Sequence, residues 1–209
     1  MKLLVASGNA KKLRELTQQL QHLSVEIVTS KDVGGVPDVD EDRPTFAGNA
    51  AKKAVSAASA SGLWALADDS GLEVLELGGA PGVLSARFAG AHGDDAANNA
   101  LLLEKLRDIP FNRRGARFVC ALCLARPDGS VALEIEGTAN GRVLSAPRGT
   151  HDFGYDPLFL FTEPGYAETN RGFAELEPHE KARVSHRGRA LREFTRKLPD
   201  VLASDRIPT

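Results

Sequence analysis

Leu3-Leu4-Val5-Ala6 form a short apolar run behind Lys2 and predict a first strand, Lys2 to Ala6. After Ser7 to Lys12 the spacing changes, and Leu13, Leu16, Leu20 and Leu23 fall on one face of a helix. Val25 to Thr29 reads as a second strand. The alanine-rich run Thr45 to Ala60, with Phe46, Ala50, Ala54 and Ala57 at helical spacing, predicts a closely packed helix that stops at Ser61-Gly62. Leu63 to Ala67 and Leu72 to Leu75 read as strands on either side of an acidic turn, Asp68-Asp69-Ser70-Gly71. Gly78-Gly79-Ala80-Pro81-Gly82 forces a loop, and a helix follows near Asp95 to Leu106. Ala116 to Ala125 and Val131 to Thr138 predict a hairpin around Pro127-Asp128-Gly129, and Pro157 to Phe161 a short strand. The last helix opens at Pro178, turns Val184, Leu191, Phe194 and Leu198 inward, and leaves Pro199 beyond its end. Strands alternate with helices early and pair as a hairpin later, which predicts an α/β fold with a mixed sheet and helices on both sides.

Composition narrows the class of function. A chain of 209 residues buries a real core as one domain, 1–209, without staples. Its net charge of −2 gives no excess of positive charge for tracking polymeric nucleic acid. The N-terminal apolar run is too brief for a signal core or a membrane span, so a cytoplasmic protein with no membrane partner is expected. Cys120 and Cys123 lie in a strand-like run that sends them to opposite faces, and two thiols alone do not complete a zinc site; two reduced core cysteines are expected.

Several constellations carry candidate chemistry. Asp68 and Asp69 close an apolar run that reads as a buried strand, where a carboxylate can hold a hard cation such as Mg²⁺ or take a proton from water. An isolated Asp-Asp-Ser-Gly serves equally as a plain turn. Ser7, Gly8, Asn9, Ala10, Lys11 and Lys12 join a strand end to a helix start, where backbone N–H groups and two ammonium groups suit phosphate. They do not form a P-loop, and a turn with solvated lysines stays open. Asp38, Asp40, Glu41 and Asp42 crowd one loop, and one of them reaching Asp68 or Asp69 would make an oxygen-rich Mg²⁺ set; Lys53 on the next helix is a phosphate contact or a surface lysine. Phe153, Gly154, Tyr155 and Asp156 place two rings around a glycine, fit for stacking on a base or for the core. Lys181, Ser185, His186 and Arg187 offer N–H donors suited to a purine with an oxygen at position 6, or make a cationic helix surface. Arg87 after the glycine-rich loop reaches a phosphate or pairs with an acid.

In order, Ser7-Gly8-Asn9-Ala10-Lys11-Lys12, Thr45-Phe46, Asn49-Ala50, Ala67-Asp68-Asp69-Ser70-Gly71, Gly78 to Gly82, Phe153-Gly154-Tyr155-Asp156-Pro157 and Ser185-His186-Arg187-Gly188 resemble the inosine/xanthosine triphosphatases, pyrophosphatases of noncanonical purine nucleoside triphosphates. The resemblance spans essentially the whole chain. It implies an elongated mixed β-sheet flanked by helices in two lobes with a central cleft for the nucleotide. It also implies a cytoplasmic, Mg²⁺-dependent homodimer that hydrolyses ITP, dITP and XTP to the monophosphate and pyrophosphate.

Carried over by position, phosphate binding falls on Ser7 to Lys12 and on Lys53, the proton-accepting and metal-binding aspartate on Asp69, and a substrate contact on Ser70. The acidic-loop ligand falls on Glu41, with Asp40 adjacent; base contacts fall on Phe153 to Asp156, Lys181, His186 and Arg187. The chain departs from the family's usual pattern at Gly48, where a glutamate is common, and at Leu84 and Phe88, where tyrosines are. The implied mechanism has a water near Asp69 attack the α-phosphorus while Lys12 and Lys53 stabilise the growing charge. Two readings compete with it: a pyrophosphatase for modified pyrimidines or methylated bases, and a nucleotide-sensing module that keeps the phosphate cradle without hydrolysis.

Overall fold

The computed structural model describes residues 1–7, 9, 12–13, 16–17, 20, 25–151 and 153–205. Strand β1 (Lys2–Ala6) pairs in parallel with β2 (Glu26–Thr29) and with β3 (Trp64–Val74). Leu3, Leu4 and Val5 point alternately to the two faces and none has exposed surface, so both faces are covered, which is why the run is apolar without alternation. β4 (Gly115–Ala125), β5 (Val131–Val143) and β6 (Phe159–Phe161) complete a six-stranded sheet in the order β2-β1-β3-β4-β5-β6. β6 runs antiparallel to β5, with Gly141 opposite Phe161, so the sheet is mixed, as expected. The turn joining β4 to β5 closes through Arg126 N–H to Ser130 O at 2.8 Å and Gly129 N–H to Arg126 O at 2.9 Å.

Helix α1 (Phe46–Ser61) starts where Thr45 Oγ1 accepts Gly48 N–H at 3.1 Å, and stops where Gly62 turns left-handed at φ 65. Its buried face is Phe46, Asn49, Ala50, Ala54, Ala57 and Ala58, and the four alanines are small enough for close packing. Where the resemblance led one to expect a glutamate, a Cβ on Gly48 would stand 2.9 Å from Arg43 Cβ. α2 spans Asp95–Lys105, α3 Pro178–Val184 and α4 His186–Ser204. Leu13, Leu16 and Leu20 are helical, the last two fully buried; Leu23 lies outside the described residues.

The expected acidic turn is not a turn: β3 runs unbroken through Asp68, Asp69, Ser70 and Gly71. Both carboxylates are matched by donors from elsewhere in the chain, so the strand persists with them buried. Gly71 answers to packing. A Cβ there would lie 2.2 Å from Ser85 Oγ, which accepts Leu72 N–H at 2.9 Å and donates to Gly82 O at 2.6 Å. The last strand begins at Phe159 rather than Pro157, because Asp156–Leu158 forms a 3₁₀ turn around a proline that has no N–H for a ladder.

The closing helix also differs from expectation. It breaks at Ser185, extended at φ −70 and ψ 155, and Pro199 lies inside α4 rather than past it. Packing of Val201 and Leu202 on the core and the Arg126–Asp205 ion pair, 2.9 Å, outweigh the hydrogen bond that Pro199 cannot donate.

Two compact units make up the chain: 1–69, 120–136 and 190–209 in the first, 70–119 and 137–189 in the second. Each has its own core. The first gathers Leu3, Val5, Leu66, Leu122, Leu191 and Phe194. The second is aromatic, with Phe118 and Phe173 each 4.7 Å from Phe159 between ring centroids. Cys120 and Cys123 are buried and not joined in a disulfide, and burial, helped by Glu134, pushes the Cys123 thiol up to about 12. Among the described residues no helix is long and apolar enough to cross a membrane.

Candidate active site

In the first unit the chemistry gathers on Asp69, only 5% exposed. Asn49 and Lys53 stand four apart on α1 and so share a face. Asn49 Nδ2 donates to Asp69 Oδ2 at 3.2 Å and Lys53 Nζ to Asp69 Oδ1 at 3.1 Å, so each carboxylate oxygen has its own donor. Lys53 Nζ also donates to Glu41 Oε1 at 2.7 Å, and Asn49 is anchored in turn by accepting Arg43 N–H at 2.9 Å. Beside them Asp68, 2% exposed, pairs with Lys12 Nζ at 3.2 Å.

The neighbouring lysines sort the acidic loop. Lys52 Nζ takes the Asp40 carbonyl and the Asp42 carboxylate, both at 2.9 Å, on the exposed side, which leaves Glu41 to Lys53. Asp38 stays exposed. Burial is the main cause that lifts the Asp69 carboxyl above its ordinary value; Lys53 and Lys12 oppose the rise and Glu41 adds to it. Burial works against the charged Lys53 ammonium, yet Asp69, Asp68 and Glu41 together outweigh it and hold its pKa above the usual lysine value.

Glu41 and Asp69 are the oxygen donors suited to a hard cation. Both accept a hydrogen bond from the Lys53 ammonium. Among the described residues no group of three or more His, Cys, Asp and Glu gathers as a ligand set, so this pair would rely on waters and substrate oxygens for the remaining positions. That donor set fits Mg²⁺, which commonly binds through one or two carboxylates plus phosphates.

Of the predicted N-terminal phosphate segment, Gly8, Ala10 and Lys11 lie outside the described residues. Asn9 caps the helix start, its Oδ1 accepting Lys12 N–H at 3.1 Å, and Ser7 Oγ accepts Asn9 N–H at 3.4 Å.

The second unit holds the residues expected to contact a base. Lys181 on α3 pairs with Asp156 and holds its Nζ 5.4 Å from the Phe153 ring centroid. Arg187 at the start of α4 stands 6.0 Å from the same ring and donates from Nη2 to Ser70 Oγ at 3.0 Å. His186 stacks on Phe118 at 4.7 Å. At 5% and 3% exposed, His186 and Arg187 are not the cationic surface that the sequence left open. Tyr155 is placed differently from its neighbours: it is buried in the core, with its hydroxyl donating to Ser85 O at 2.9 Å. Arg87 ends the 3₁₀ turn Gly82–Arg87, half-buried. Sequence reasoning assigned no role to Asn49, although a buried amide one helical turn before Lys53 was a legible signal.

The whole chain can be compared with known proteins. The Ham1 family model matches residues 3–197. A dITP/XTP pyrophosphatase of Rhodopirellula baltica is 47% identical over 203 residues, covering 97% of this chain and 95% of that one. One from Corynebacterium efficiens is 52% identical over 205 residues, covering 96% and 99%. A HAM1 protein structure from Coxiella burnetii superposes with a TM-score of 0.85 at 37% identity, covering 96% of this chain and 99% of that one. A crystal structure of the nucleoside-triphosphatase, dITP/XTP pyrophosphatase, of Mycobacterium abscessus gives 0.76 at 49% identity, covering 93% and 98%. With the match extending over nearly its full length, this chain belongs to the Ham1 family.

Proposed function

We propose that this protein hydrolyses noncanonical purine nucleoside triphosphates, namely ITP, dITP and XTP, to the monophosphate and pyrophosphate. The observation that carries the reading is Asp69, a buried carboxylate with one oxygen held by Asn49 and the other by Lys53, in a chain about half identical to proteins named dITP/XTP pyrophosphatases. The reading assigns phosphate chemistry to Asp69, Glu41, Lys12 and Lys53, and base recognition to Phe153, Lys181, His186 and Arg187.

Asp69 takes the proton from the water that attacks the α-phosphorus, and its raised proton affinity suits that step. Pyrophosphate leaves as the new P–O bond forms. Lys12 and Lys53 stabilise negative charge on the transferring and departing groups. Glu41 and Asp69 would hold Mg²⁺, which when bound neutralises phosphate charge and orients the oxygens. Asn49 keeps Asp69 in one rotamer.

On the base side, Phe153 stacks on the purine while His186 and Arg187 direct N–H donors at a 6-oxo group. Adenine would set its amino group against those donors and leave them unpaired, a mismatch worth roughly 10²-fold or more in kcat/KM. The backbone near Phe153-Gly154 forms the wall that disfavours guanine's 2-amino group.

Purified protein incubated with Mg²⁺ and, separately, ITP, XTP, ATP, GTP and modified pyrimidine triphosphates should release pyrophosphate, fastest per kcat/KM from ITP and XTP. Orthophosphate as the product, equal efficiency for ITP, ATP and GTP, or binding without turnover would each overturn the reading. A homodimer belongs to the same proposal: light scattering of the purified chain should give twice the chain mass, and a monomer mass would remove it.

A further inference from the structure

Gly154 adopts φ 56 within the segment assigned above to the base, and both of its backbone polar groups are gripped by one helix. Its N–H donates to Asp95 Oδ2 at 2.9 Å, and its carbonyl accepts from Asn99 Nδ2 at 2.8 Å. Asp95 and Asn99 are four apart on α2 and so share a face. α2 is itself fastened at its start, where Asp94 Oδ1 accepts Ala97 N–H at 3.0 Å, and through Asn98, whose Oδ1 accepts Ala89 N–H at 2.8 Å. The next residue, Tyr155, is pinned through its hydroxyl to Ser85 O at 2.9 Å. The Asn99 amide orientation is settled by the same contact, because turning it over would set Oδ1 against the Gly154 carbonyl. Its Oδ1 is buried with no hydrogen-bond partner among the described residues, so the contact to Gly154 is the bond that holds this side chain.

We propose that Asp95 and Asn99 are positioning residues for nucleobase discrimination, acting through the two peptides that flank the Gly154 Cα. This rests on the reading that Phe153-Gly154 lines the base. The 153–154 peptide is held through its N–H and the 154–155 peptide through its carbonyl, so the backbone on both sides of the Gly154 Cα cannot retreat to admit a larger purine edge. With one of the two peptides released, the segment can turn about the Gly154 Cα, and a 2-amino group then fits where it was excluded. Neither residue belongs to the set given the chemical step above, so that step is spared.

Steady-state kinetics with ITP and GTP on wild type, Asn99→Ala, Asn99→Asp, Asp95→Ala and Asp95→Asn test the proposal. Asn99→Ala and Asp95→Ala should lower the ITP-to-GTP ratio of kcat/KM about tenfold, the worth of one hydrogen bond near the top of its net range. Asn99→Asp, which sets a carboxylate against a carbonyl, should lower it further. Asp95→Asn keeps an acceptor for Gly154 N–H and should retain the wild-type ratio. For the alanine variants KM for ITP rises while kcat stays within about threefold, since the lost bond costs positioning and not charge stabilisation. The ratio is measured within one preparation, so a smaller folded fraction cancels from it. Wild type failing to favour ITP over GTP would overturn the functional reading itself. Wild type favouring ITP while all four variants keep its ratio would overturn this inference alone, as would Asp95→Asn losing selectivity as fully as Asp95→Ala.

Discussion

Asp69→Asn should lower pyrophosphate release from ITP by about 10³-fold or more, because on the proposed mechanism it removes a general base and a metal-binding oxygen at once. The substitution preserves shape, so the loss is chemical. Asp69 is buried, with Oδ2 bonded to Asn49 Nδ2 at 3.2 Å and Oδ1 to Lys53 Nζ at 3.1 Å. An amide in its place keeps one acceptor oxygen and turns an NH₂ group toward one of those two donors. Lys53 nevertheless stays neutralised by Glu41 at 2.7 Å, so no unpaired buried cation is created and the fold survives. Circular dichroism should match wild type, and melting should shift by only a few degrees, about 1–2 kcal/mol of stability. Asp68→Asn is the matched control. Its carboxylate answers to Lys12 at 3.2 Å, so its effect should be smaller than that of Asp69→Asn. An Asp69→Asn enzyme within tenfold of wild type would remove Asp69 from the role given to it.

The contrast between those two aspartates shows what the sequence could and could not carry. β1, α1 and the β4–β5 turn were legible because their patterns are local: an apolar run, small residues at helical spacing, Pro-Asp-Gly between strands. Asp-Asp-Ser-Gly carries the local chemistry of a turn, yet β3 passes straight through it. The deciding partners, Lys12, Asn49, Lys53 and Ser85, are distant in the chain, and neither periodicity nor turn chemistry encodes them. The choice among Asp40, Glu41 and Asp42 was equally non-local, since Lys52 and Lys53, pointing different ways from α1, take different members of the loop. The family resemblance assigns the metal to Glu41 and Asp69; in the structure both pair with Lys53 while Asp42 pairs with Lys52 and faces solvent. The break at Ser185 escaped because the apolar spacing of Val184, Leu191, Phe194 and Leu198 fits one helix as well as two.

That break brings Gly188 against the backbone of α3, and Gly188→Ala should destabilise the protein against the sign of helix propensity. In an exposed helix interior, glycine to alanine gains about 1 kcal/mol. At Gly188 the added Cβ would lie 1.8 Å from the Ala182 carbonyl oxygen, 2.7 Å from its carbon and 3.2 Å from its Cα. All three are backbone atoms of α3, so no side-chain rotation relieves the clash. α3 must shift from the start of α4, and with it goes the cap in which Ser185 Oγ accepts Gly188 N–H at 3.1 Å. Overpacking of about 1–3 kcal/mol and a lost cap of about 1 kcal/mol exceed the propensity gain. A net loss of about 2 kcal/mol corresponds to a fall in Tm of roughly 4–8 °C for a chain of this length. Function should change with it, because α3 carries Lys181 and α4 opens with His186 and Arg187. Moving the two helices apart separates groups that now face the same Phe153 ring, at 5.4 Å for Lys181 and 6.0 Å for Arg187. KM for ITP should therefore rise more than kcat falls, the reverse of the Asp69→Asn pattern. A Gly188→Ala protein that melts at or above the wild-type temperature would mean that the helix junction relaxes without cost, and the close approach of α3 to α4 would lose its structural importance.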